Sequence, residues 1–127
     1  MKQLFLLMFT WWNGQTMGTR FFTWRKGARV GEDALGNVYY RERRGERRWV
    51  IYKGLAEASA VPPEWHGWLH HMVDTPPTEE AAPERPWFRP HRANLTGSPE
   101  AYRPKGSILT PEKRPRVTGD YDSWQPD

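Results

Sequence analysis

Val38-Tyr39-Tyr40-Arg41-Glu42, Arg43-Arg44-Gly45-Glu46 and Arg47-Arg48-Trp49-Val50-Ile51-Tyr52 form one continuous run, and its reading decides the fold. The two ends are rich in aromatic and β-branched residues, and the middle holds a Gly beside charged residues. That is the pattern of two strands joined by a short turn. In the second strand Trp49 and Ile51 share one face, and Val50 and Tyr52 share the other. Both faces are apolar, so both need cover.

Toward the N-terminus, Leu35-Gly36-Asn37 is a turn signal. Before it, strand chemistry begins at Thr19. Arg20-Phe21-Phe22-Thr23-Trp24-Arg25 is aromatic-rich, and after Lys26-Gly27 the stretch Ala28–Asp33 keeps extended character. These residues complete a three-stranded antiparallel meander. Toward the C-terminus, Pro62-Pro63-Glu64 opens a helix, because the missing proline N–H costs nothing there. Trp65, Trp68, Leu69 and Met72 come next at i, i+3, i+4 and i+7 as the stripe that covers one sheet face. Pro76-Pro77 ends that helix before Thr75. A sheet with one short helix is marginal alone, so the other face is expected to rest on another protein.

Further out lie two segments of different character. Residues 3–12 read Gln-Leu-Phe-Leu-Leu-Met-Phe-Thr-Trp-Trp, between Lys2 and the helix stop Asn13-Gly14. As a helix they are about 15 Å long, half the roughly 30 Å of a bilayer core, so they cannot span one. No small-residue cleavage site comes after them, which argues against a secretory signal. Three readings stay open: a helix on a partner, a helix at a membrane interface with Trp11 and Trp12 at interfacial depth, or a helix packed on its own domain.

At the other end, ten of the 12 prolines lie in residues 73–127, with only six of the 21 Leu, Ile, Val and Phe. Such a segment buries too little apolar surface to order itself alone. Its aromatics are spaced as separate anchors: Trp87, Phe88, Tyr102, Tyr121 and Trp124. Fully extended, residues 75–127 reach about 170–190 Å. The expected class is therefore a small α+β protein: a short N-terminal helix, a three-stranded antiparallel β-meander, one short helix and a long extended tail. The segments are 1–16, 17–74 and 75–127.

Composition narrows the chemistry. Leu, Ile, Val and Phe make up 21 of 127 residues, while Trp supplies eight and Tyr five. A core this poor in aliphatics does not suit a large enzyme with a buried cleft. Zero Cys excludes disulfides, thiolate metal sites and thiol nucleophiles. His66 and His70 share a helix face, but no Glu lies between them in the metalloprotease pattern. Glu32-Asp33, Glu79-Glu80 and Asp120/Asp122 read as solvated charge, and no Lys-Ser/Thr comes after Gly27 and Gly31 to make a phosphate loop. Asn94-Leu95-Thr96 fits a glycosylation sequon but lacks a secretory context. No catalytic, cofactor-binding or metal-binding residue emerges.

Net charge is +4, with residues 1–72 at +5 and residues 73–127 at −1. Arg43, Arg44, Arg47 and Arg48 beside Tyr39, Tyr40 and Trp49 form the densest basic cluster. Basic and aromatic residues together suit nucleic acid, acidic protein or lipid phosphate, and charge alone does not choose.

The order of motifs is more specific. Gly18-Thr19-Arg20-Phe21-Phe22-Thr23-Trp24-Arg25-Lys26-Gly27 precedes Val30-Gly31-Glu32-Asp33, Gly36-Asn37-x-Tyr39-Tyr40 and Arg48-Trp49-Val50-Ile51-Tyr52. Then come Val61-Pro62-Pro63-Glu64-Trp65-His66-x-Trp68-Leu69-His70, Asp74-x-Pro76-Pro77-Thr78 and Asn94-Leu95-Thr96-Gly97-x-Pro99-Glu100-x-Tyr102-x-Pro104. Over residues 18–104 this resembles a small accessory-subunit family of respiratory complex I, the proton-pumping NADH:ubiquinone oxidoreductase. That family includes the mimitin-type assembly factor. The resemblance implies a non-catalytic protein on the hydrophilic arm near its junction with the membrane arm. FMN, iron–sulfur clusters and ubiquinone would belong to neighbouring core subunits. Those core subunits, together with other accessory subunits, would be the partners. Nucleic acid would not be one, and residues 3–12 could meet the membrane surface.

The short turns, the lack of an insertion between strand and helix, and the start near the family's own N-terminus suggest a bacterial-type member. The expected place is then peripheral, on the cytoplasmic face of the inner membrane. The tail motif favours a permanent subunit; the alternative is an assembly factor that binds an intermediate and leaves.

Overall fold

The computed structural model describes residues 2–10, 15–81, 83–110 and 112–126. Its elements are α1 (Lys2–Phe9), α2 (Met17–Lys26), β1 (Gly27–Glu32), β2 (Val38–Glu42), β3 (Arg48–Ile51), a 3-10 turn at Ala58–Ala60 and α3 (Pro63–Leu69). Beyond Leu69 there is no helix or strand among the described residues. Trp11 and Trp12 lie outside the described residues.

The sheet is an antiparallel meander in the order β1-β2-β3. Tyr39 pairs with Val50 and Tyr40 with Trp49. The register of β1 shifts between Arg29 and Gly31, so Val30 is an extra residue. Such a bulge re-aims the residues beyond it, and here it sets Gly31 opposite Tyr39. Gly is required at this position. A Cβ on Gly31 would stand 2.8 Å from Trp65 Cη2 and 2.5 Å from Thr78 Cγ2.

The core lies between the Tyr39 face of the sheet and α3. Tyr39, Val61, Trp65 and Trp68 are its buried members, with Val30, Val50, Tyr52 and Leu69 packed around them. The Tyr39 and Trp65 rings stack at 3.9 Å, and Trp68 meets both edge-on. Three aromatic rings thus replace the aliphatic core that the composition lacks, each contributing large area and preferred geometry.

Two expectations are corrected. First, residues 20–25 are helical, and the strand starts only at Gly27. Thr16 caps α2 by accepting from the Thr19 N–H at 3.2 Å. A helical period then turns Phe22 and Thr23 toward β3. The Phe22 and Trp49 rings lie 5.3 Å apart, and Trp49 Nε1 donates to Thr23 Oγ1 at 3.1 Å. These tertiary contacts outweigh the strand preference of the Phe-Phe-Thr-Trp run. The Trp49 part of that sheet face is therefore packed by this chain's own helix, while Tyr40 and Ile51 line an open hollow beside it.

Second, α3 stops at Leu69, and Met72 is 67% exposed rather than part of the stripe. His71 adopts a left-handed φ of 57°. The Met72 and Val73 N–H groups turn back to the Gly67 carbonyl at 3.0 and 3.3 Å. The chain leaves the helix axis there, and Met72 with it.

The molecule divides into two compact units, Met1–Asn94 and Leu95–Asp127. The first takes in residues 75–94: Asn94 N donates to Ser59 Oγ, and His91 Nε2 bonds the Ser59 carbonyl. The second is held by turns and ion pairs, with Lys105–Glu112 at 3.0 Å and Arg114 and Arg116 on Asp120 and Asp122.

Candidate docking surface

The residues that bear charge and aromatic bulk sort into three groups. The first surrounds the turn between β2 and β3. Glu42 N donates to the Arg47 carbonyl at 2.8 Å and closes that turn, while Arg43 N donates to the Lys26 carbonyl at 3.0 Å and ties it to the end of α2. Arg43 and Arg44, with Arg25, Lys26 and Glu42, line an open hollow of about 540 Å³. Glu42 stands near Lys26 at 3.8 Å and Arg47 at 4.0 Å. Arg43, Arg44 and Arg47 face solvent.

Arg48 does not belong with them, which corrects its place among the partner contacts. It alternates to the Tyr39 face, where its side chain is only 14% exposed. One guanidinium nitrogen donates to the Trp68 carbonyl at 2.6 Å and the Val73 carbonyl at 2.9 Å. The group also lies over the Trp68 ring at 4.9 Å. Arg48 thus joins the Trp68 carbonyl in the last turn of α3, which also accepts from the His71 N–H at 3.2 Å, to the Val73 carbonyl of the chain beyond it.

The second group is the tail. Trp87 and Phe88 project from a turn anchored downstream on Ser59, their rings 6.3 Å apart, with Arg85 over Trp87 at 5.9 Å. In the second unit Tyr102, Tyr121 and Trp124 are each at least 80% exposed. Ile108, Leu109 and Val117 are also exposed there, and no pattern in the sequence singles them out. Arg114 and the Val117 N–H hold the Asp120 carboxyl below its usual range.

The third group lies on the two N-terminal helices, and its α2 part is one that sequence reasoning misses. In α2, Met17, Phe21 and Trp24 stand exposed on the side away from the sheet. In α1, within the apolar segment 3–12, Phe5, Met8 and Phe9 are also exposed, with the two Phe rings 4.6 Å apart. The signal is the i, i+4, i+7 spacing of Met17, Phe21 and Trp24, which a strand reading of residues 20–25 conceals.

One polar cluster is structural. Asp33 accepts from the Leu35 and Asn37 N–H groups, from Asn37 Nδ2 at 2.9 Å and from the Tyr39 hydroxyl at 2.8 Å. Asn37 in turn donates to the Ala60 carbonyl and accepts from Lys53 N. Asp33 is therefore no solvated charge but the hub that joins the β1–β2 turn to the chain beyond β3. Burial, then the bond to Asp33, pushes the Tyr39 hydroxyl well above its usual pKa, so it stays a neutral donor. His66 and His70 rings sit 4.2 Å apart on exposed helix positions. Among the described residues no group of three or more His, Cys, Asp or Glu could hold a metal ion. No helix among them is long and apolar enough to cross a membrane.

Residues 27–126 match the model of the family described as NADH ubiquinone oxidoreductase subunit NDUFA12. The chain is 42% identical over 93 residues to the bovine NADH dehydrogenase [ubiquinone] 1 alpha subcomplex subunit 12, across 63% of this chain and 64% of that relative. It is 39% identical over 92 residues to the Dictyostelium discoideum protein of the same name, across 68% and 67%. An uncharacterized protein of Rickettsia prowazekii is 39% identical over 72 residues, across 52% of this chain and 67% of that one. The chain spans just under two thirds of the length of the mammalian relatives.

Proposed function

The chain belongs to the NDUFA12 family of NADH:ubiquinone oxidoreductase subunits, and we propose that it is itself a non-catalytic accessory subunit of respiratory complex I. It would stabilise the hydrophilic arm near its junction with the membrane arm, on the cytoplasmic face of a bacterial inner membrane. The family match across residues 27–126 carries this reading. The Rickettsia relative supports the bacterial assignment. FMN, iron–sulfur clusters and ubiquinone would reside in the core subunits that it touches. The Met1–Asn94 unit supplies a folded module, and the exposed Trp87, Phe88, Tyr102, Tyr121 and Trp124 are anchors for pockets on partner subunits. Aromatic side chains that fill such pockets dominate binding energy at interfaces. Arg43, Arg44 and Arg47 meet acidic protein or lipid phosphate, not nucleic acid. Residues 3–12, with Trp11 and Trp12, are a further contact, on protein or at the membrane surface.

Quantitative mass spectrometry of purified, active complex I tests the proposal. The expected result is one copy of this chain for each core subunit. Presence only in partly built subcomplexes would overturn it in favour of an assembly factor.

A further inference from the structure

Residues 1–31 contain five Lys or Arg and no Asp or Glu, and Glu32 is the first carboxylate in the chain. The whole of α2 lies in this stretch. Its Phe22–Thr23 side is occupied by Trp49. Its other side carries Met17, Phe21 and Trp24, with Phe21 61% and Trp24 73% exposed and their rings 5.8 Å apart. Arg20 stands one turn before Trp24 and Arg25 one turn after Phe21, so an arginine neighbours each ring position on the helix surface. Arg43 extends the basic surface past the helix. It lines the hollow shared with Arg25 and Arg44, and also a second hollow with Arg20, Trp24 and Arg29. The one carboxylate among the lining residues is Glu42, which already faces Lys26 and Arg47.

We propose that this face of α2 docks on an anionic phospholipid bilayer, with Phe21 and Trp24 in the headgroup region and Arg20, Arg25, Arg43 and Arg44 on lipid phosphates. Two features choose lipid over protein. A helix that lies in a membrane interface has this composition, with bulky rings on the apolar side and Lys or Arg bordering it. Further, Arg20 and Arg25 on α2 and Arg43 and Arg44 on the β2–β3 turn are basic groups on two separate elements, and together they fit an extended negative potential rather than one carboxylate. The ten residues of α2 span about 15 Å, enough to lie along the surface. This surface is independent of complex membership, which the purified-complex measurement tests separately.

Co-sedimentation of the full chain with large vesicles decides it. One set is phosphatidylcholine alone, and the other contains about one third phosphatidylglycerol, both at physiological salt. Binding is expected on the anionic vesicles and at least about tenfold weaker on the neutral ones. A surface arginine contributes about fivefold, so the Arg20→Gln/Arg25→Gln variant should bind about 25-fold more weakly. Trp24→Ala should also weaken binding, which separates a bilayer contact from a simple phosphate site. These residues are exposed, so an unchanged far-UV circular dichroism spectrum and melting temperature are expected, and they check that each variant is folded. Equal affinity for both vesicle types, or no binding to either, would overturn the proposal. Undiminished binding by the double variant would also overturn it and place the contact on another element.

Discussion

Trp65 and Trp68 in the first unit and Tyr102, Tyr121 and Trp124 in the second are the same kind of residue under opposite conditions. The first pair is buried to 3% and 2% exposure, with Trp65 stacked on Tyr39 and Trp68 edge-on to both. The second group stands in solvent. The difference lies in what surrounds them along the chain. Around Tyr39 the sequence supplies two further strands and a helix, so ring area has somewhere to go. Around Tyr102 it supplies prolines and single-turn hydrogen bonds, which leave no second layer. An aromatic residue therefore stabilises this molecule internally only where the backbone can pair, and elsewhere it is available to a partner.

The strongest way to break that contrast is to truncate one ring of each kind. Trp68→Ala should cost about 3–5 kcal/mol, the usual scale for an aromatic removed from a core. In a fold this small that is most of the stability, and the variant should melt near or below physiological temperature. Tyr102→Ala should change stability by no more than about 0.5 kcal/mol, as exposed sites do. Thermal and urea unfolding of both variants checks the pair. A Trp68→Ala protein as stable as its parent would mean that the stacked rings do not form the core.

A second comparison sets arginine against arginine. Arg48→Met removes the donor to the Trp68 and Val73 carbonyls, and should cost about 1–3 kcal/mol. Arg43→Met, on the solvent side of the neighbouring turn, should stay within about 0.5 kcal/mol. Asp74→Asn should behave like Arg43→Met, because that carboxylate is 96% exposed and its ion pair is screened. Equal losses at Arg48 and Arg43 would return Arg48 to the surface cluster.

The Tyr39 hydroxyl offers a smaller effect that depends on pH. Its pKa is raised in the folded state, first by burial and then by Asp33. The neutral form is favoured by folding, so this contribution is complete below the unfolded value of about 10 and declines as pH rises above it. Tyr52 is raised in the same direction by burial. Stability measured by urea should fall from about pH 10 upward, and Tyr39→Phe should flatten that fall. An unchanged slope in Tyr39→Phe would show that another group controls alkaline unfolding.

These contrasts also locate what can be read from the sequence. The sheet is legible because Val38–Glu42 and Arg47–Tyr52 alternate around a turn, and α3 because Pro63 opens it and Trp65 and Trp68 sit in helical spacing. Strand alternation also places Arg48 on the Val50 side, but the density of neighbouring arginines suggests a single surface. The α2 helix is hidden because Phe-Phe-Thr-Trp has strand propensity, and the opposing signal, the Thr16 cap and the Trp49 contact, depends partly on residues distant in sequence. Met72 is lost because a left-handed His71 is not a common helix stop. Within the candidate surface, the tail rings are legible as apolar residues with no local partner, while the exposed stripe of α2 becomes visible only after the helix is.

The last way to sharpen the contrast is to remove the second unit whole. Truncation after Asn94 keeps the Ser59 contacts of His91 and Asn94 within the remaining chain. The core of Tyr39, Val61, Trp65 and Trp68 is then intact, and the melting temperature of the free protein should not move measurably. Retention in the complex should nonetheless fall. Each exposed ring in residues 95–127 is a weak site, and several on one chain reinforce each other through effective concentration. Proline limits the freedom lost when they bind. Loss should be gradual, with Trp124→Ala weaker than truncation and Tyr121→Ala/Trp124→Ala between the two. Affinity purification of the complex under increasingly stringent washing measures it, with the chain's stoichiometry as the readout. A truncated protein that stays bound as well as the full chain would show that the exposed rings are not anchors, and that docking rests on the Met1–Asn94 unit alone.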